Sequence, residues 1–221
     1  MKNKLFVIEG VDGSGKRTQA QLLQKRLKGD GVNCVLQSFP DYDSPACQPV
    51  KMYLNGEFGD SSCFTAYQAN ALYAVDRLCT MQKYKDHIAN GGSIVFDRYV
   101  ESTMLHQAGL IREEKERDKF LEYVDNFEFN ILKLPRPDIV IFLDVPVSVS
   151  LQLAKARQGY KSGSKKDIYE EDINHLENAY RSGKYVSEKY NWIVINCVKD
   201  GKLLSAEEIS NKIYSAIKER E

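Results

Sequence analysis

The run Glu9-Gly10-Val11-Asp12-Gly13-Ser14-Gly15-Lys16-Arg17-Thr18 carries the clearest chemistry in the chain. Its glycines let backbone N–H groups wrap around phosphate oxygens. A helix opening at Lys16 adds the positive end of its dipole, and the Lys16 ammonium reaches the β- and γ-phosphates. The pattern is the phosphate-binding loop G-x-x-x-x-G-K-[ST] with one departure. Arg17 stands where a Ser or Thr hydroxyl normally binds Mg²⁺, and Thr18 follows one place later. Gly10, Gly13, Ser14, Gly15, Lys16, Arg17, Thr18 and Gln19 are the expected ATP-binding residues. A second cluster, Asp97-Arg98-Tyr99-Val100-Glu101-Ser102-Thr103, follows an apolar stretch. Arg98 at a strand end can grip a monophosphate with a bidentate fork. Asp97 sits where a carboxylate can hold Mg²⁺ or its water. Tyr73 and Arg77, four apart, share one helix face. Beyond Arg157, residues 158–166 are polar, basic and glycine-spaced, and read as a lid that can close over phosphates. Arg157 could stabilise charge on a transferring phosphoryl group.

These groups need a scaffold that brings separate loops together. Short runs at Leu5–Glu9, Cys34–Phe39, Ser93–Asp97, Ile139–Asp144 and Trp192–Asn196 read as strands. Most are near-continuous and apolar, as expected of strands covered on both faces, and Gln37 and Ser38 interrupt the weakest, Cys34–Phe39. Helical stretches fall at Lys16–Leu27, Phe64–Asn90, Arg112–Leu132, Val147–Arg157, Asp167–Tyr190 and Ser205–Arg220. The alternation predicts a three-layer, doubly wound α/β fold with a parallel five-stranded sheet. Ligands in such folds bind at the C-terminal strand ends, where both motifs lie. We expect one domain over residues 1–221 with a small lid at about 157–167.

The composition excludes several alternatives. The 221 residues carry 31 Lys plus Arg against 31 Asp plus Glu, and zero net charge argues against a general nucleic-acid binder. The longest apolar runs, Ile139–Leu143 and Ala71–Val75, are too short to span a membrane. The apolar segment Leu5–Ile8 is too short for a secretory leader. Five cysteines with no CxxC spacing then read as free thiols in a reducing cytoplasm. The three His are scattered singly, which argues against a zinc site.

The chain resembles the thymidylate kinase family along essentially its whole length. Ile8 to Lys16 matches the family's opening, and Lys16-Arg17-Thr18 resembles one branch of it. Asp97-Arg98-Tyr99-Val100-Glu101-Ser102 resembles the D-R-Y-x-x-S motif, and Leu72–Arg77 the family's aromatic–Arg pair. The resemblance implies a P-loop nucleoside-monophosphate kinase fold and a homodimer to which the Phe64–Asn90 helix contributes. It implies Mg²⁺-dependent transfer of the ATP γ-phosphate to dTMP, giving dTDP and ADP in dTTP synthesis. Lys16, Asp12, Arg98 and Arg157 then carry catalysis, and Asp12 faces the sugar 3′-hydroxyl. Tyr73 stacks on thymine and Arg77 bonds its carbonyl. Phe39 and Tyr42 approach the acceptor, although many members carry Arg where Asp41 follows Phe39-Pro40. Ser102 and Thr103 line the base edge. His106 falls near the sugar 2′ position, with Gln107 beside it, and Asp167 and Tyr169 pack on the bound nucleotide. Asp97 and Asp12 are the implied Mg²⁺ ligands. Two other readings stay open at this level. One is a related P-loop kinase for another nucleotide or a nucleoside. The other is a nucleotide-binding regulatory protein without transfer, for which Arg17 is the best support.

Overall fold

The computed structural model describes residues 1–60, 63–158 and 173–220, the side chains of 154–158 excepted. Five strands form one parallel sheet: β1 (Leu5–Glu9), β2 (Cys34–Ser38), β3 (Ser93–Asp97), β4 (Ile139–Asp144) and β5 (Ile193–Asn196). Their order is β2-β3-β1-β4-β5, every pair parallel. The side-chain period of two sends neighbouring residues to opposite faces, and here both faces are covered. Val7, Phe96 and Phe142 pack in one core with Leu105, Phe120 and Val186. Ile8, Val95 and Ile141 pack in the other with Leu23 and Ile213. The expected three-layer architecture follows from this double burial.

The helices are α1 (Lys16–Gly29), α2 (Gln48–Leu54), α3 (Ala66–Met81), α4 (Lys85–Ala89), α5 (Glu101–Gly109), α6 (Glu114–Asp125), α7 (Val147–Gln158), α8 (Ile173–Lys189) and α9 (Ala206–Glu219). Both α3 and α9 open on capping boxes, Thr65 with Gln68 and Ser205 with Glu208.

Several expected boundaries shift. The stretch Phe64–Asn90 is two helices joined by a 3₁₀ turn at Gln82–Tyr84. Tertiary bonds hold that turn against the end of β2: Lys83 Nζ donates to Asp41 at 2.7 Å and Tyr84 Oη to Gln37 at 2.7 Å. The stretch Arg112–Leu132 starts later and ends in a π turn, Asn126–Ile131. Strand β2 stops before Phe39, where the cis Phe39–Pro40 bond turns the chain. Helices α2 and α5 and a two-residue-per-strand hairpin, β6 (Val198–Lys199) with β7 (Lys202–Leu203), lie outside the expected elements.

Candidate active site

Strands β1 and β3 are neighbours, with Ile8 opposite Asp97. The loops that leave their C-terminal ends therefore share one space, which is how the phosphate loop meets Arg98. Glycine is required in the first loop for two reasons. A Cβ on Gly13 (φ +82) would lie 2.5 Å from the Ser150 carbonyl oxygen, and one on Gly10 (φ +151) would lie 2.7 Å from Ser14 Oγ. Lys16 opens α1 and is buried. Its ammonium donates to the carbonyls of Gly10 and Val11, both at 2.8 Å, and lies 3.7 Å from Asp12 Oδ1. Burial and the nearby Arg98 lower the Lys16 ammonium to about 8, against the pull of Asp12, Glu9 and Asp97.

Arg98 is held in the left-handed region, φ +67, which turns it off the strand direction. Its Nη2 pairs with Asp12 Oδ1 and its Nη1 lies 3.1 Å from His106 Nε2. Partial burial resists the charge on Asp12, but Arg98 and Lys16 outweigh it and hold the carboxyl well below the usual range. Beneath them lies Glu9, fully buried, whose Oε1 accepts from Ser102 Oγ at 2.7 Å and from the Tyr99 N–H at 3.2 Å. Burial raises the Glu9 carboxyl, and Arg98 and Lys16 oppose that rise.

A cavity of about 270 Å³ opens beside Arg98. All of the sequence-expected acceptor residues that are described fall on its wall: Asp12, Phe39, Tyr42, Tyr73, Arg77, Arg98, Ser102, Thr103, His106 and Gln107. Its wall combines the aromatic rings of Phe39, Tyr42, Tyr73 and Tyr99 with polar and cationic groups, which suits a flat, hydrogen-bonding ligand ending in an anion. Tyr42 is half exposed at 51%. Arg77 is buried and held in a network rather than solvated. Its Nε donates to Glu128 Oε2 at 3.0 Å, its Nη2 pairs with Glu128 Oε1, and Nη2 also donates to Asn70 and Thr103 at 3.1 and 3.3 Å. The π turn Asn126–Ile131 carries Glu128 to this position. Asp76, also on the cavity wall, accepts from the Asp41 N–H at 2.9 Å and so anchors the loop that carries Tyr42.

The remaining expected residues spread differently. Arg17 is exposed. Thr18 is half-buried. Gln19 is buried and donates to the Ala206 carbonyl at 3.0 Å, tying α1 to α9. Asp97 ends β3 outside the cavity wall and accepts from Ser38 Oγ at 3.2 Å. Among the described residues no cluster of three His, Cys, Asp or Glu forms a metal site. Mg²⁺ does not need one beside a triphosphate, since one or two carboxylates with phosphate and water oxygens satisfy it. The donor set at Asp97 and Asp12 fits that chemistry. Asp167, Tyr169 and the Arg157 side chain lie outside the described residues. Glu9, Asp76, Glu128 and His175 are the site residues that the sequence reading missed. The Glu9 signal was its place between the apolar strand and the first glycine of the loop.

A parallel sheet of order β2-β3-β1-β4-β5, a phosphate loop after β1 and an arginine-bearing acceptor cavity after β3 define a P-loop kinase of the nucleoside-monophosphate type. The sequence model of the thymidylate kinase family matches residues 8–209. The chain belongs to that family. It is 29% identical over 209 residues to the thymidylate kinase of Mycobacterium tuberculosis strain CDC 1551, covering 91% of this chain and 95% of the relative. It is 29% identical to that of Bradyrhizobium sp. strain ORS 278, covering 99% and 91%. It is 32% identical over 161 residues to a probable thymidylate kinase of Pyrococcus abyssi, covering 71% and 72%. The solved thymidylate kinase of Candida albicans shares the fold with a TM-score of 0.71 at 22% identity, over 99% of this chain and 92% of that one.

Proposed function

We propose that this protein transfers the γ-phosphoryl group of ATP to the 5′-phosphate of dTMP, giving ADP and dTDP. The observation that carries the reading is the meeting of the two loops. Arg98, on the acceptor side, pairs with Asp12 of the phosphate loop, 3.7 Å from the Lys16 ammonium. An oxygen of the acceptor phosphate attacks the γ-phosphorus in line, a new P–O bond forms, and the bond to the β-phosphate oxygen breaks to release ADP. No protein nucleophile is needed, so the protein's work is placement and charge neutralisation. Lys16 neutralises the donor phosphates, Arg98 grips the acceptor phosphate, and Arg157 serves the transferring group from the lid at about 157–167. Asp97 and Asp12 would hold Mg²⁺, which when bound offsets charge on the β- and γ-phosphate oxygens. Tyr73 stacks on thymine, Thr103 and Ser102 flank its edge, and Arg77 meets a carbonyl. Phe39 and Tyr42 border the acceptor, His106 and Gln107 face the sugar side, and Asp167 and Tyr169 pack on the nucleotide.

The chain works as one domain and as a homodimer. Exposed Tyr67, Ala71, Val75 and Cys79 recur every fourth residue on α3 and supply an apolar face for a second copy. Its compartment is the cytoplasm, in keeping with five free cysteines. No helix among the described residues is long and apolar enough to cross a membrane. With 31 Lys plus Arg against 31 Asp plus Glu, the chain lacks the basic excess usual in a general nucleic-acid binder. ADP formation from ATP·Mg²⁺ with dTMP, dUMP, dCMP, dGMP, dAMP and thymidine tests the reading. Turnover strongest with dTMP supports it, and turnover with thymidine alone moves the reaction to a nucleoside.

A further inference from the structure

His175, near the start of α8, lies on the cavity wall beside His106 of α5. Helices α5 and α8 touch closely here: a Cβ on Gly109 would meet the Asn178 carbonyl at 2.9 Å. His106 Nδ1 is 3.1 Å from His175 Nε2, and the two ring planes are 15° apart. On its other side, His106 Nε2 is 3.1 Å from Arg98 Nη1. A guanidinium can only donate. His106 Nε2 must therefore accept, its proton must sit on Nδ1, and that N–H must donate to His175 Nε2. The direction of every bond in the chain is fixed by Arg98. Burial and the cations Arg98 and Lys16 hold His106 far below the usual imidazole range, against the pull of Asp12, so the neutral ring that this chain needs is the stable one.

We infer that His175 is a positioning residue: by accepting from His106 Nδ1 it fixes the tautomer whose Nε2 steadies the Arg98 guanidinium at the acceptor phosphate. The inference rests on the reading of Arg98 as the acceptor-phosphate ligand. Without an acceptor at His175, His106 can flip its proton to Nε2, and two donors then face each other. One neutral hydrogen bond is worth ~1 kcal/mol, which is about 5-fold in affinity.

The test uses His175→Leu, which keeps an apolar filler, and His175→Gln, whose Oε1 can accept in place of the ring nitrogen. The expected result for His175→Leu is a dTMP KM raised about 5- to 10-fold, with kcat and the ATP KM within about 2-fold. The His175→Gln variant should restore the dTMP KM to near wild type. In ¹⁵N-histidine spectra of the substrate-free wild type, His106 should show a protonated Nδ1 and a bare Nε2, and His175→Leu should lose that pattern. An unchanged dTMP KM in His175→Leu, an equal rise in both variants, or a proton on Nε2 in the wild type would each overturn the inference. Absence of dTMP turnover by the wild type would overturn the kinase reading and this role with it, and the nitrogen shifts tell the two failures apart.

Discussion

Replacing Arg98 tests the acceptor side most sharply. In the free protein the guanidinium bonds Asp12 and His106, using two of its five N–H donors. Three remain for a phosphate, enough for a two-bond fork. A hydrogen bond to a charged group contributes ~1.5–3 kcal/mol, so two give about 3–6 kcal/mol gross. Drawing Arg98 toward phosphate weakens its hold on Asp12 and offsets roughly half of that. The net loss in Arg98→Ala is then about 2 kcal/mol, on the order of 30-fold in dTMP affinity. Arg98→Lys keeps the charge but offers a point contact in place of a fork, so a loss of about 10-fold is expected. Asp12 is 38% exposed at its side chain, so water can cover the carboxylate that Arg98 leaves behind, and the fold should survive. Calorimetric titration of dTMP, with steady-state kinetics at saturating ATP, reads both numbers. The ATP KM should stay put. Unchanged dTMP affinity in Arg98→Ala, with the variant folded, would refute the reasoning.

Lys16 carries a pH prediction. With its ammonium lowered to about 8 from a usual 10.5, the free protein loses this charge as pH rises through 8, and a bound triphosphate restores it. The kcat/KM for ATP should therefore fall above pH ~8 while kcat falls only at higher pH, and a level kcat/KM up to pH ~9.5 would contradict this. Glu101 is buried, with its carboxyl raised by burial from 4.5 to about 8. The folded state keeps that proton after the unfolded chain has released it, so stability is full below pH 4.5 and declines as pH rises to about 8. Each tenfold in proton affinity is about 1.4 kcal/mol, so Glu101→Gln should gain at least ~1 kcal/mol over wild type at pH ~9 in denaturant titrations. No gain would show that the carboxyl is hydrated. Glu128→Ala would leave Arg77 buried without its counter-charge, at a loss of ~3–5 kcal/mol and roughly 10 °C in Tm. A Tm within about 2 °C of wild type would mean that the pair contributes little.

The parts of the fold that could be read in the sequence are those set by local pattern. Strands β1, β3 and β4 were legible because each is a short apolar run buried along its length, whereas β2, with Gln37 and Ser38, and β5, with alternate residues exposed, gave a weaker pattern. The phosphate loop and the Asp97-Arg98 turn were legible because strand ends adjoin glycine or charge. The breaks were not, because distant residues make them. The α3–α4 boundary depends on Lys83 and Tyr84 bonding Asp41 and Gln37, more than forty residues away along the chain. Helix α5 was hidden because its nine residues read as site chemistry, with polar Ser102, Thr103 and Gln107 lining the cavity. The chain gave Arg77 a helix face but could not give it Glu128, since a π turn shifts that carboxylate out of the α-helical register. His175 was invisible for the same reason: a single histidine on a long amphipathic helix has no sequence partner, and only the close crossing of α5 and α8 supplies His106.

The central claim is that the loop after β1 and the arginine after β3 together move a phosphoryl group from ATP to dTMP. Single-turnover transfer from γ-³²P-ATP to dTMP, in wild type and Lys16→Ala side by side, tests it most directly. The account predicts labelled dTDP from the wild type and a rate lower by roughly a thousandfold or more in Lys16→Ala, with its fold intact by circular dichroism. Labelled dTDP formed by Lys16→Ala at a near wild-type rate, or no labelled dTDP from the folded wild type, would contradict it.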